Sequence, residues 1–400
     1  MAISISKEQF TNSYQTIFSK VTVSMEVCNG ELRSSLEYGA SVARPRAIID
    51  GVRVRDYSKG TNYTIDNISD EKETLDVNRS KVAVVRVDRI EKIQMKNLTP
   101  SEFFGMEIAL KVSAYVDGDA LALARNFSTF DAGNVGGTAG TPIDLDVTGN
   151  VEKTLAKAAG TVRAQIKGRQ LESLVFVTDS LAVASIEIVL MGKQFDMAET
   201  VWKNGYAGPV RSAQLFVSEN LSADADITFN TNPTAAQTFV ISGFTYTFVS
   251  SIGSTPGNVL IGGSAAATRA NLVAALNQGA GAGTNYVAWT DAHPDYYASV
   301  WADFRLTATD VPGNNKFTVA TIGSGRLAIS GTATATVNFN QITSPFMMKG
   351  AIDLVVQDKD VGEAIPDPFQ MADIIRSFVL YGVKLFKDGI KRGVGVKIKA

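Results

Sequence analysis

One cysteine, Cys28, and one histidine, His293, are all that 400 residues hold of the two side chains best suited to soft metals and redox work. A disulfide within the chain needs two thiols, and a Cys/His zinc site needs four ligands, so both are excluded inside one copy. Charge of one sign is also lacking. Lys and Arg number 38 against 40 Asp and Glu, a formal net charge of -2, so no global field holds a polyanion by counterion release. Long hydrophobic runs are absent too: the most apolar stretch, residues 181–191, is short and carries Glu187. Residues 1–10 show no apolar segment behind a basic start, which leads us to expect a soluble, non-secreted chain.

What remains is ordinary globular material, 45% hydrophobic and 20% charged, and disorder, collagen and coiled coil are ruled out. At roughly 150 residues per unit the length predicts two or three compact parts. Charge is distributed unevenly. Residues 223–341 carry ten charged side chains in 119 positions, about 8%, whereas the other 281 residues carry 68, about 24%. Two chemical characters in one chain predict an inserted unit.

Inside the low-charge stretch, residues 237–250 alternate around Ser242-Gly243 and read as a β-hairpin. Ser264 caps a helical pattern over 265–277, and residues 305–309, 316–322 and 332–339 read as Thr/Val-rich strands. Outside it, Phe10, Tyr14, Ile17 and Phe18 form the apolar stripe of a weak N-terminal helix. Residues 47–57 and 73–88 alternate apolar with charged and predict one long hairpin. Such a ribbon is marginal alone in water and needs a surface. Arg53, Arg55, Asp56 and Lys59 near its tip, with Lys81, Arg86, Asp88 and Arg89 on the return strand, suit charge-paired docking on a neighbour; equally, such charges protect an edge strand from aggregation.

Thr99, Pro100 and Glu102 supply an N-cap, a first helical residue and the closing member of a capping box. The helix they start predicts a buried stripe of Phe103, Met106, Leu110, Ala114 and Leu121 and runs to about residue 126. An amphipathic helix over 151–166, a strand over 171–177, an apolar helix capped at Asp179 or Ser180 and a strand over 213–218 make an α+β unit. Strands return over 351–356, 378–385 and 393–398.

Chemistry is sparse. Asp291-Ala-His293-Pro-Asp295 places two carboxylates beside an imidazole, but a polar loop with capping Asp residues is the simpler reading. A serine triad would need this same His, and no Gly-x-Ser-x-Gly elbow is present. The Gly-rich stretches at 133–140, 262–264 and 323–325 lack the Gly-Lys-Ser/Thr of a phosphate loop. Lys384, Lys387, Lys391, Arg392, Lys397 and Lys399 form a basic C-terminal cluster whose alternation fits the solvated face of a strand pair. No catalytic, cofactor or metal site is expected.

The order of these parts resembles the major capsid proteins of tailed bacteriophages with the HK97 fold. Val52-Arg-Val-Arg-Asp-Tyr57, Glu73-Thr-Leu-Asp-Val77 and residues 81–88 are similar to that family's extended loop. Asn204-Gly-Tyr-Ala-Gly208 followed by residues 213–221 resembles its axial-domain segment, and Tyr381-Gly-Val-Lys384 its closing strand. The low-charge stretch falls where P22-like coat proteins carry an extra domain. The resemblance implies an α+β fold with an N-terminal arm over 1–43, an extended-loop hairpin over 44–90 and a peripheral domain with its spine helix over 91–130. It further implies an axial domain over 131–222, a β-rich insertion over 223–341, an axial return over 342–372 and closing peripheral strands over 373–400.

By the same resemblance, copies assemble into hexamers and pentamers of an icosahedral shell. The shell encloses double-stranded DNA without sequence-specific binding, in a virion assembled in the host cytoplasm and with no membrane. A separate scaffolding protein, a portal and a decoration protein are possible partners, no covalent cross-link is expected, and the insertion should project to reinforce capsomers. A tail or receptor-binding component and an encapsulin-type cargo shell are the alternatives.

Overall fold

The structure, a computed structural model, describes residues 22–32, 40–48, 55–57, 59–60, 62, 69–88, 100–166, 173–191, 206–210, 213–289, 305–361, 365–366 and 372–400. The helices are α1 (Ser24–Val27), α2 (Pro100–Ala122), α3 (Ala132–Val135), α4 (Asn150–Gln165), α5 (Ser180–Met191) and α6 (Ala265–Leu276). The strands are β1 (Ser41–Ile48), β2 (Ser69–Asp76), β3 (Arg79–Asp88), β4 (Ser128–Phe130), β5 (Leu174–Thr178), β6 (Tyr206–Val210), β7 (Ala213–Val217), β8 (Ser222–Thr228), β9 (Thr238–Ile241) and β10 (Phe244–Val249). They continue as β11 (Asn258–Leu260), β12 (Thr307–Val311), β13 (Lys316–Ala320), β14 (Ile329–Gly331), β15 (Thr336–Met348), β16 (Asp353–Val361), β17 (Ile365–Pro366), β18 (Ala372–Lys384) and β19 (Gly393–Lys399). The fold is α+β.

Pro100 opens α2 as its signals predict, and 23 residues at about 1.5 Å each make a rod of roughly 35 Å. A 3-10 turn over Leu123–Asn126 ends it. Of the expected stripe, Leu121 is buried, Leu110 and Ala114 are half-buried, and Phe103 and Met106 have side chains outside the described residues; Ile108, Val112, Val116 and Ala120 are buried as well. Burial runs around the helix over residues 116–121 and takes in Asp117 and Asp119, two carboxylates that periodicity assigns to solvent.

The expected single strand over 73–88 is two strands. β1 pairs antiparallel with β2 from Ser41↔Asp76 to Ile48↔Ser69. After Val77 and Asn78 the chain changes partner, and β3 pairs with β18 from Arg79↔Tyr381 to Asp88↔Ala372. The alternation lapses there into four polar residues in a row, Asn78-Arg79-Ser80-Lys81, and resumes in the other phase at Val82, which is the mark the break leaves in the sequence. The Val77 amide donates to the Ala40 carbonyl at 2.9 Å, while its side chain joins Leu75, Val355 and Phe386 in a small core under the base of the β1–β2 ribbon.

A nine-stranded sheet forms the centre. Its path runs β12-β13-β8-β15-β5-β7-β6, with β19 on β15 and β4 on β19. β15 serves as the common member: Thr336–Thr343 pair with β8, Gln341–Met347 with β19, and Phe346–Met348 with β5. Thirteen residues, the last eight buried, let one strand do this. The low-charge stretch 223–341 therefore begins within β8 and ends within β15, both members of the sheet that holds β5 and β19.

A second sheet, β11-β10-β9-β14, covers the β8–β13 end. Phe239 meets Phe317 edge-on at 5.9 Å, and Phe229 meets Phe248 at 5.8 Å. The β9–β10 turn has Ser242 and Gly243 both at positive φ, 46° and 89°, the conformation the Ser-Gly pair predicts. Ser264 caps α6 by accepting from the Ala267 amide at 3.2 Å, again as expected.

Candidate functional site

Three segments distant in sequence meet on α2. The Asp119 carboxylate accepts from Arg79 of β3 at 2.5 Å, from Arg305 of the low-charge stretch, and from the Tyr381 hydroxyl of β18 at 2.7 Å. Its side chain is 9% exposed. Burial pushes its carboxyl upward, yet the Tyr381 hydrogen bond and the charges of Arg305 and Arg79 outweigh burial and hold it below the ordinary Asp value. Tyr381 is driven upward by burial and by donating to Asp119.

Gly118, one residue earlier, brings the backbones together: a Cβ there would stand 2.9 Å from the Gly323 Cα and collide with the Arg305 guanidinium. Arg305 has φ 43° and Gly323 φ 72°, so both follow a left-handed course to reach the helix. Beside them the Tyr115 ring carries Arg305 Cζ and Lys81 Nζ, each 4.9 Å from its centroid. A cleft of about 120 Å³ opens there, lined by Lys111, Ala114, Tyr115, Arg305 and Gly323.

Two residues back, Asp117 holds the segment that precedes β1. It accepts from the Val23 amide at 3.1 Å, the Ser24 amide at 2.8 Å and Ser24 Oγ at 2.6 Å. Asp353 of β16 takes the other end of the segment, accepting from Asn29 Nδ2 at 2.9 Å with Arg44 at 4.0 Å. Burial raises both carboxyls to about 6, against the lowering hydrogen bonds from Ser24 and Val23 on Asp117 and the charge of Arg44 on Asp353. Cys28 lies in reach of both, and burial with their negative charge keeps its thiol protonated and unreactive.

A raised folded value means the native state takes up protons. The penalty for ionising Asp117 is therefore absent below the unfolded value near 3.8 and grows as pH rises through about 6. We expect chemical denaturation to show a contribution from Asp117 that declines between pH 4 and 7 by up to about 3 kcal/mol. Asp117→Asn should flatten that slope; an unchanged slope would place the titration elsewhere.

Among the described residues, the charges of the low-charge stretch are spent on pairs within the chain. Asp224 meets Arg125 at 2.7 Å and Lys397 at 3.3 Å, Arg305 meets Asp119, and Arg326 meets the buried Asp179. These three connections tie the stretch to the body, while Lys316–Asp226 and Arg269–Asp310 lie within it. The basic C-terminal cluster is partly absorbed in the same way: Lys397 goes to Asp224, Lys399 to Asp144 at 2.7 Å, and Arg392 to Asp388 at 3.5 Å. Burial lowers the Lys397 value.

The docking candidates fall in different places. Arg55, Asp56 and Lys59 are exposed, and Tyr57 between them is 86% exposed. Lys81 is half-buried over Tyr115 of the same chain. Arg86 and Asp88 occupy β3 opposite Ile374 and Ala372, with side chains outside the described residues. Phe10, Tyr14, Ile17, Phe18, Arg53, Arg89 and the Asp291–Asp295 motif with His293 lie outside the described residues altogether. The sequence reading missed Asp117, Asp119 and Arg305. Acids two residues apart within an apolar helix were the available signal.

Among the described residues no cluster of His, Cys, Asp and Glu is arranged to hold a metal, and no helix is long and apolar enough to cross a membrane. No family model matches the chain, and no curated protein does. Solved structures are similar in outline. One, from Mycobacterium phage Che8, is 15% identical, covering 94% of this chain and 90% of that one, with a TM-score of 0.48. The capsid of Myoviridae phage XM1 is 11% identical over 94% and 92%, with a TM-score of 0.42. The capsid of cyanophage P-SCSP1u is 10% identical over 94% and 88%, with a TM-score of 0.44.

Proposed function

We propose that this chain is the major capsid protein of a tailed bacteriophage, a shell tile whose work is closure with copies of itself around double-stranded DNA. One observation carries the reading. The β1–β2 ribbon is anchored at its base by Leu75 and Val77 against Val355 and Phe386, while the segment beyond it presents Arg55, Asp56, Tyr57 and Lys59 to solvent. A two-stranded ribbon that ends in an 86% exposed tyrosine is unstable as a free appendage. A neighbouring copy supplies the missing surface. The near-neutral charge fits a wall that encloses DNA without gripping it.

On this reading the arm and the extended loop reach neighbours, the α2 unit forms the periphery, the α4–α5 unit lies toward the capsomer axis, and copies form hexamers and pentamers. Scaffolding, portal and decoration proteins are its candidate partners, the virion its place, and catalysis no part of its work. The low-charge stretch braces the tile from within, because its Arg305, Arg326 and Asp224 fasten it to α2, to Asp179 between β5 and α5, and to β19 rather than leaving it as a hinged projection.

Negative-stain microscopy with sedimentation velocity tests this, first on the chain alone and then on the chain expressed with its genomic neighbours. Shells, tubes or capsomer rings are expected. A discrete small oligomer in both preparations would overturn the reading in favour of a tail component, and packaged enzyme would favour an encapsulin. Arg53→Glu combined with Arg55→Glu should abolish closed particles while leaving the subunit folded, because reversed charge at a docked tip repels. Normal particles from the double variant would remove the tip from the interface.

A further inference from the structure

We infer that the cleft between Lys111, Tyr115 and Arg305 is a binding site for a phosphate-class oxyanion. The argument begins with unbalanced charge. Arg79, Lys81, Lys111 and Arg305 converge on one face of α2, and among the described residues Asp119 is the only carboxylate bonded to any of them. Asp119 is already shared among Arg79, Arg305 and Tyr381 and is closed off from solvent. It makes no bond to Lys81 or Lys111. Asp117, the next acid on the helix, turns the other way and accepts from Val23 and Ser24.

Donor capacity is also left over. Arg305 Nε is buried without an acceptor, and Lys111 is exposed with no ion-pair partner among the described residues. Tyr115, with cations held over its ring, provides a firm wall. The geometry selects the ligand class. Two cations line the cleft from different elements, Lys111 from α2 and Arg305 from its loop, and Lys81 of β3 stands over the ring of Tyr115 that walls it. A planar carboxylate is matched by a single guanidinium fork, whereas a tetrahedral group with oxygens on several sides accepts from separate point charges. The cleft, about 120 Å³, has room for such a group.

The phosphate has two possible sources, free inorganic phosphate and the phosphodiester of a nucleic acid, and the experiment separates them. The full-length chain in its native assembly is titrated calorimetrically with inorganic phosphate at constant ionic strength, chloride making up the difference, and then with a mixed-sequence DNA duplex at several salt concentrations. Saturable phosphate binding is expected, weakened at least tenfold in Lys111→Glu and restored in Lys111→Arg. Lys111 is exposed, so neither substitution threatens folding. If the duplex also binds and its salt slope falls by about one in Lys111→Glu, the ligand is a backbone phosphate. If free phosphate alone binds, it is a small anion. Absence of saturable phosphate binding, or equal binding by wild type and Lys111→Glu, overturns the site.

Discussion

Asp119→Asn is expected to destabilise the chain more than any other single polar substitution, by about 3–5 kcal/mol, because it strips a counter-charge from two guanidinium groups at once. Arg79 and Arg305 come from segments far apart in sequence and converge on one carboxylate with 9% of its side chain exposed. The amide keeps the shape and one acceptor but offers the cations no charge, and its NH2 faces two donors. A merely local pair would cost less, since exposed ion pairs contribute about 0–1 kcal/mol. Urea denaturation at pH 7 measures the difference, and a loss under about 1 kcal/mol would show that the node is effectively solvated. The pH dependence follows from the lowered Asp119 value. Its stabilisation is present in full above the unfolded carboxylate value near 3.9. It is lost as pH falls through the lower folded value, opposite in sign to the slope expected of Asp117.

What the sequence reveals, and what it hides, follows from the range of the interactions. Pro100 at the start of α2, Ser264 beneath α6 and Ser242-Gly243 in the β9–β10 turn are local chemistry. Each satisfies backbone groups within a few residues, so spacing alone announces it. The break at Val77 and Asn78 is different: the four polar residues 78–81 interrupt the alternation, yet they do not say that β2 and β3 choose partners some 30 and 300 residues away in sequence. Period fixes which face is buried but not who lies beside it. The low charge of residues 223–341 marks a real chemical change, yet β8 and β15 carry the main sheet straight across both ends of it. Composition reports the surface a stretch shows, and hydrogen-bond registry decides what it is joined to. Asp117 and Asp119 were illegible for a further reason: a buried acid is recognised by its partners, and Ser24, Arg79, Arg305 and Tyr381 are brought to it only by the tertiary fold.

Gly118→Val carries the second large expectation, and here two effects compete in sign. Removing a glycine from a helix interior gains up to about 1 kcal/mol from the unfolded chain's lost freedom, somewhat less for a β-branched residue. Against this stands the Gly323 backbone, its Cα 2.9 Å and its N 3.4 Å from where a Cβ would lie. Gly323 cannot yield cheaply, because it is backbone at φ 72° and the Arg305 guanidinium, brought by a separate segment to pair with Asp119, packs against it. Crowding against a fixed backbone costs about 1–3 kcal/mol, and valine adds two methyl groups to that contact. Loss of the Asp119–Arg305 pair as the loop is pushed away adds to it. A net destabilisation of about 2–4 kcal/mol is therefore expected, with faster proteolysis within residues 223–341 than in α4–α5. Gly118→Ala separates the terms, since it keeps most of the helix gain and the smallest possible clash. If the alanine variant is more stable than the parent, the loop moves freely on α2 and the low-charge stretch is not braced there; if it is less stable, the close approach of helix and loop is what fixes the stretch to the body.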